Sequence, residues 1–299
     1  MLPYFEAPVL HLGPVSISLF GLIVGFAIYV AFSIASKRFQ RFGLSVAIGE
    51  RMGFWMLGGS IIGAHLFSAL LYFPDQVAQD PWLLLQFWKD ISSFGGIIGG
   101  LATATVFLWW NLKGDAARFR WMYLDIVAYL MPIGFGIGRL GCALVHDHPG
   151  TITNFPLAIS LKTAAARDFI IDMYASAGLA GSLPADSVLA HMGFHDLGVY
   201  EFLYLSLVVT PVMVWLNKRD RVPGFNLLVF GVMYLPVRFA FDFLRLIDIR
   251  YAGLTPGQWT AMIAMLALPL VWLSMRSRLR FQTVVAEQFS EQTNEISVA

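Results

Sequence analysis

Two polar constellations interrupt an otherwise apolar chain, and both are of kinds that hold charged groups. The first is Gly138-Arg139-Leu140-Gly141-Cys142-Ala143-Leu144-Val145-His146-Asp147-His148-Pro149-Gly150. An arginine deep in an apolar helix costs about 2.5–3.5 kcal/mol on insertion scales, so Arg139 needs a partner or a task. The second is Tyr234, Arg238, Asp242 and Arg245, whose spacings of four, four and three put them on one helix face. Asp242 neutralises one arginine of that face and leaves a second. With Arg139 these side chains make an excess of positive charge, and the planar fork of arginine suits phosphate oxygens. A phosphate anion is the expected occupant. The plainer alternative for Arg139 is snorkelling to its own interface.

Further candidates stand near these two. Zinc sites need three or four ligands at recognisable spacing, and no further Cys or His pair stands out beside His146-Asp147-His148. No metal is expected there. The two histidines read either as exposed turn residues or as proton carriers near neutrality. His195-Asp196-Leu197-Gly198-Val199-Tyr200-Glu201 opens a helix, with Tyr200 either an interfacial anchor or a site residue and Glu201 favouring the helix N-terminus. Ser92-Ser93-Phe94-Gly95-Gly96 opens another, whose glycines suit close helix packing.

The elements that position these residues are membrane helices. Hydrophobic residues make up 58% of the 299 positions and charged residues only 13%, with a mean hydropathy of +0.68; soluble domains carry roughly 25% charged residues. A span of the hydrocarbon needs about 20 apolar residues. Seven such stretches lie near 14–36, 52–73, 91–112, 121–144, 198–216, 225–245 and 256–275. The first is too long for a signal h-region and lacks a basic n-region, so it is read as retained. One set of loops and flanks holds thirteen Lys and Arg, including Lys37, Arg51, Lys113, Lys218 and Arg276. The opposite set holds five: Lys89, Lys162, Arg167, Arg245 and Arg250. The positive-inside rule then puts the N-terminus outside and the C-terminus in the cytoplasm. The expected fold is an all-α membrane protein of seven transmembrane helices over residues 1–281. It includes an interfacial arm at 74–90, a small outer (periplasmic) head at 146–197 with a short helix near 158–175, and a polar, disordered tail at 282–299. On this topology Arg139 lies roughly 27 Å along its helix and Arg238 roughly 20 Å along its own, both toward the outer side. Pro132, Gly134, Gly136 and Gly138 suggest that the helix before Arg139 is kinked or unwound. The single cysteine, Cys142, excludes an intramolecular disulfide.

The pattern resembles the prolipoprotein diacylglyceryl transferase family over about residues 5 to 275. The family signature G-R-x-G-N-F-x-N-G-E-x-x-G matches Gly138, Arg139, Gly141 and Gly150, with Asp147 in the acidic position. Y-x-x-x-R-x-x-x-E-x-x-R matches Tyr234, Arg238, Asp242 and Arg245; H-P-[ST]-Q-L-Y-E keeps His195, Tyr200 and Glu201; G-Q-W is Gly257-Gln258-Trp259. The opening Leu12-Gly13-Pro14-Val15-Ser16-Ile17 is also similar. The departures are specific. Phe94 stands for the family histidine before Gly95-Gly96, Phe20 for a tyrosine, Cys142 for the signature asparagine and His65 for an arginine.

The resemblance implies a bacterial inner-membrane enzyme that needs no cofactor and has no nucleic-acid partner. It moves diacylglyceryl from phosphatidylglycerol to the lipobox cysteine that follows a prolipoprotein signal peptide. On that reading Arg139 and Arg238 clamp the phosphate and Tyr234 orients the headgroup. Asp147 and Glu201 hold the arginines, while Arg245, Tyr200, Gly95, Gly96, Gly138, Gly141 and Gly150 line the substrate. His146, His148 or His195 replaces the missing base. Two alternatives remain open: a relative that binds anionic phospholipid without transfer, and a transporter, which the one-sided placement of the charges disfavours.

Overall fold

The computed structural model describes residues 1–12, 15–87, 89, 91–246 and 248–276. The proposed tail at 282–299 lies outside the described residues, as do Trp88 of the arm and Gly13-Pro14 of the opening motif. Chain order runs β1 (Val9–Leu12), β2 (Val15–Ser18), α1 (Leu19–Arg41), α2 (Val46–Tyr72), α3 (Pro74–Gln79) and α4 (Ser93–Asn111). It continues with α5 (Arg120–Val145), β3 (Pro149–Thr153), β4 (Ile159–Ser160), α6 (Ala164–Ser176), α7 (Asp186–Leu189) and β5 (Gly193–Asp196). The last elements are α8 (Leu197–Tyr204), α9 (Thr210–Leu216), α10 (Phe225–Phe241) and α11 (Pro256–Arg276). Among the described residues seven helical segments are long and apolar enough to cross a membrane: α1, α2, α4, α5, α8 with α9, α10 and α11. Large apolar side chains such as Phe26, Phe54, Ile61, Trp110 and Leu266 stand exposed on them, which suits a hydrocarbon surround and not water.

The first span begins later than its hydropathy suggests. β1 and β2 pair antiparallel, with Val9 opposite Ser18 and Leu12 opposite Val15. The alternation Val15-Ser16-Ile17-Ser18 has the period of a strand, and Ser18 then caps α1 by accepting from the Gly21 N–H at 3.1 Å. Short strands recur after α5, where β3, β5 and β4 make a small antiparallel sheet. The sheet packs with α6 around Ile159, Leu161, Ile170, Leu189 and Phe194.

The span helices associate as two main pairs. α2 packs along α4 and α1 along α5, with sparser contact between the pairs. The α2–α4 contact depends on missing side chains. A Cβ on Gly63 would lie 2.5 Å from the Gly95 carbonyl oxygen, and one on Gly99 2.2 Å from that of Gly59. At the end that the Lys and Arg distribution assigns to the cytoplasm, a polar clasp ties the helices together. Asp125 accepts from the Asn226 and Leu227 N–H groups at the start of α10, at 2.8 and 3.3 Å, and from the Asn226 amide at 2.7 Å. Asn217 donates to Asn226 at 2.6 Å and accepts from Arg38 at 3.0 Å. Within the fifth span, Pro211 lacks the N–H that would continue the ladder, and a π turn over Leu205–Val209 precedes it. The arm is held to α2 by His65, whose Nε2 lies 2.9 Å from the Leu83 carbonyl.

Gly63→Val should destabilise the protein by about 1–3 kcal/mol or more through overpacking. Gly58→Val, where nothing lies within 4 Å of the added carbon, should have little effect. Thermal unfolding of both variants in one detergent decides the matter, and equal stabilities would refute the glycine contact.

Candidate active site

Five helix ends converge at the outer end of the bundle, as the Lys and Arg distribution assigns it: the N-termini of α4, α8 and α11 and the C-termini of α5 and α10. α5 brings Arg139. Its helical pattern is unbroken from Arg120 to Val145 despite Pro132, so the expected unwinding does not occur. The glycines supply room instead: Gly136 faces Leu205 and Ser206 at the π turn, while a Cβ on Gly138 would meet open space. Arg139 is 1% exposed, which rules out snorkelling.

Glu201, in the second turn of α8, is the hub. Its Oε1 accepts from Arg238 Nη1 at 2.8 Å, and its Oε2 accepts from the Tyr234 hydroxyl at 2.9 Å. Arg139 Nε lies 2.8 Å from the same Oε2 as an ion-pair contact. Arg238 Nη1 also lies 2.9 Å from Asp242 Oδ1. The expected excess of positive charge is therefore absent, because Glu201 and Asp242 match Arg139 and Arg238. Arg245 departs from the face. The α-helix ends at Phe241, a 3-10 turn covers Asp242–Leu244, and Arg245 is extended at φ −65°, ψ 136°. It pairs with Asp248 at 2.9 Å instead.

Between the two helix pairs lies a cavity of about 410 Å³, lined mainly by apolar residues of α1, α2, α4 and α5. Its outer end is formed by Ser93, Gly96, Gly138, Arg139 and Cys142. Of the buried ionic cluster only Arg139 lines it; Arg238, Tyr234, Glu201 and Asp242 do not. The Arg139 nitrogens on this side make long contacts. Nη2 donates to Ser93 Oγ at 3.3 Å, and Nη1 lies 3.4 Å from His148 Nε2 and 3.6 Å from Cys142 Sγ. Ordinary N–H···O bonds are near 2.9 Å, so the Ser93 contact is long, and the other partners, a thiol and an imidazole, are neutral acceptors weaker than an anion.

The three histidine candidates separate. His148 alone reaches an arginine. Its Nδ1 meets Asp147 Oδ1 at 2.5 Å, so in the neutral ring Nε2 is left as the acceptor facing Arg139. Burial pushes the His148 imidazole below its ordinary value, against the Asp147 hydrogen bond and with help from the Arg139 charge. Burial alone would raise the Asp147 carboxyl, but the His148 hydrogen bond and the His148 and Arg139 charges hold it below the usual range. Asp147 thus reaches Arg139 through His148. His146 ends α5 in the left-handed region at φ 50° and belongs to the head. It bonds Asp196 at 2.6 Å, stacks on Tyr4 at 4.8 Å and touches Phe169 and Phe194. Asp196 in turn caps α8. His195 bonds the Tyr200 hydroxyl at 2.8 Å, away from the arginines, and burial lowers its imidazole value.

The remaining candidates serve packing or backbone. A Cβ on Gly95 would lie 2.3 Å from the Gly63 carbonyl oxygen, one on Gly141 would press Phe20, and one on Gly150 would lie 2.5 Å from the Leu244 carbonyl oxygen. Phe94 is buried with the Arg238 guanidinium 5.3 Å from its ring centroid. Three participants escaped the sequence reading. Ser93 and Asp248 carry no distinguishing pattern. Thr255 does: Thr255-Pro256-Gly257-Gln258 is a capping box, in which Gln258 N–H donates to the Thr255 hydroxyl at 3.0 Å and Thr255 N–H to Gln258 at 2.9 Å. The Thr255 hydroxyl donates to Asp242 Oδ2 at 2.8 Å.

Comparison with known proteins agrees with this arrangement of motifs. Residues 8–274 match the family described as prolipoprotein diacylglyceryl transferase. A protein of Chromohalobacter salexigens named phosphatidylglycerol–prolipoprotein diacylglyceryl transferase is 28% identical over 270 residues, covering 90% of this chain and 89% of its own. Proteins of the same name from Pseudomonas paraeruginosa and Pseudomonas entomophila are 29% and 30% identical. They cover 90% and 91% of this chain, and 91% and 92% of their own.

Glu201→Gln removes one of two anions from two buried cations and should cost about 3–5 kcal/mol. Tyr234→Phe removes one hydrogen bond to a charge and should cost about 1.5–3 kcal/mol. His146→Ala should lower stability and leave phosphatidylglycerol binding unchanged. Calorimetry and lipid binding in detergent check all three, and lipid binding lost in His146→Ala would return that residue to the site.

Proposed function

Because the chain belongs to the prolipoprotein diacylglyceryl transferase family, we propose that it transfers diacylglyceryl from phosphatidylglycerol to the lipobox cysteine of a prolipoprotein. The setting is the bacterial inner membrane. The observation that carries this reading is the apolar cavity ending at Arg139, whose terminal nitrogens hold only neutral partners there. Acyl chains occupy the cavity between the helix pairs, and the headgroup phosphate meets Arg139 at its outer end.

The chemistry is a displacement at carbon. The acceptor sulfur forms a C–S bond to the glyceryl carbon, the C–O bond to phosphate breaks, and the electron pair leaves on glycerol phosphate. Arg139 opposes the charge that develops on that oxygen, in a dry site where such stabilisation is strongest. Its orientation is fixed beforehand by Glu201, which Arg238 and Tyr234 hold in turn. Arg238 is therefore a positioning residue in this proposal, not the second phosphate clamp. The thiol proton must leave beside Asp147 and His148, the titratable pair adjoining Arg139.

A second reading, binding of an anionic phospholipid without transfer, is favoured by Phe94. Its apolar ring occupies the family histidine position and packs against Arg238, so no proton carrier acts from there.

Purified protein in phosphatidylglycerol vesicles with a lipobox peptide should yield a diacylglyceryl adduct on the peptide cysteine, read by mass spectrometry. Phosphatidylcholine vesicles should yield none. Arg139→Lys, which keeps the charge and loses the fork, should lower the rate by about 10²–10³. Absence of adduct alongside measurable phosphatidylglycerol binding would favour the second reading.

A further inference from the structure

Beside Arg139 lies a group of side chains that the transfer chemistry above leaves without a complete task. One ligand atom each of Cys142, Asp147 and His148 can be chosen so that all lie within 4.8 Å of one another. The backbone produces the cluster. Cys142 lies in the last turn of α5, His146 takes the left-handed conformation directly after the helix, and the chain folds back. The Asp147 N–H then meets the Cys142 carbonyl at 3.4 Å, and the two following side chains stand over the thiol.

Thiolate, carboxylate and imidazole are a ligand set for a thiophilic divalent cation. Zinc bonds of about 2.0–2.3 Å in a tetrahedron require donors roughly 3.3–3.8 Å apart, so an entering ion must replace the His148–Asp147 bond and the Arg139 contacts to His148 and Cys142 as the cluster re-forms around it. A thiolate and a carboxylate neutralise a doubly charged ion, and the neighbouring Arg139 is already matched by Glu201. Access is present on both sides: Cys142 lines the cavity, while the Asp147 side chain is 35% exposed. Three protein ligands with a fourth position open are the arrangement of reactive metal sites; closed structural sites use four.

We propose that Cys142, Asp147 and His148 bind a thiophilic divalent cation, zinc foremost, and that its open position takes the acceptor cysteine. Metal binding rests on this chain's own residues; the role for the acceptor rests on the transferase reading. A coordinating thiol gives up its proton, and the proton passes to solvent at the exposed edge by Asp147. The resulting thiolate attacks the glyceryl carbon, the C–O bond breaks, and glycerol phosphate leaves beside Arg139 with the electron pair. No further reagent is consumed. In this chain Phe94 removes a proton carrier and Cys142 adds a metal ligand, so the two departures offset each other.

The test begins with tag-free protein loaded with cobalt in detergent. The expected result is a single bound cobalt ion with a sulfur-to-cobalt charge-transfer band, and a zinc-dependent rise in the unfolding temperature. Cys142→Asn should abolish both, while Asp147→Asn and His148→Ala should each weaken zinc binding by about tenfold or more. Gel filtration confirms that each variant is folded. A folded wild-type protein without the band, or undiminished zinc in Cys142→Asn, would overturn the site. A cysteine lipobox peptide should then change the cobalt spectrum and a serine peptide should not; identical spectra would overturn the acceptor role. Transfer by chelated, metal-free protein would overturn the metal's part and leave the transferase standing. Metal binding without transfer under any condition would do the reverse.

Discussion

Two guanidinium groups buried among apolar helices impose the strictest condition on this fold. Arg139 and Arg238 are 1% and 3% exposed, and an unpaired charge in such surroundings is not tolerated. Glu201 meets the condition for both, and Asp242 completes it for Arg238. Arg139, Glu201 and Arg238 come from three different helices, so their ion pairs also fix how α5, α8 and α10 meet. Thr255 extends the network to the start of α11 through Asp242. The capping box there thus orients a carboxylate as well as starting a helix.

That network leaves one cation asymmetric. Arg139 is pinned through Nε on one side, while its other nitrogens hold only long contacts with Ser93, Cys142 and His148. A guanidinium held this way needs little reorganisation when an anion arrives. The cavity it faces exists because the glycine contacts draw α2 onto α4 while α1 follows α5. Close packing within each pair leaves space between the pairs. Interhelical glycines and the apolar cavity are in this sense one feature of the sequence.

The seven spans and the buried cations were legible because hydropathy and in-membrane charge are local properties of the chain. Membership of the family was legible in Gly138-Arg139 and Tyr234-x-x-x-Arg238. Arg245 was not, because helical spacing predicts a shared face only while the helix lasts, and α10 ends at Phe241. Spacing does not give the charge balance, for a related reason. Glu201 lies 62 positions from Arg139 and 37 from Arg238, so nothing local places it beside both, and it was the family resemblance that assigned it to hold the arginines. His146, His148 and His195 look equivalent in sequence. The left-handed turn at His146 separates them, sending His146 into the aromatic cluster of the head and His148 back over α5.

Phe94 shows how the site tolerates a large departure. A cationic group at this position would add charge to a cluster whose cations and anions already balance. A neutral ring presents its face to Arg238 instead. The ring also fills the space that Gly257 leaves empty, where an added Cβ would lie 2.9 Å from it and 2.5 Å from Asp242. Phe94 is thus integrated with the ionic core, and proton chemistry has no foothold there. In the proposed reading that task falls to the other side of Arg139, beside Asp147 and His148. The buried half of the site neutralises two cations, and the half toward the cavity and the exposed edge holds Cys142, Asp147 and His148. One guanidinium, Arg139, touches both.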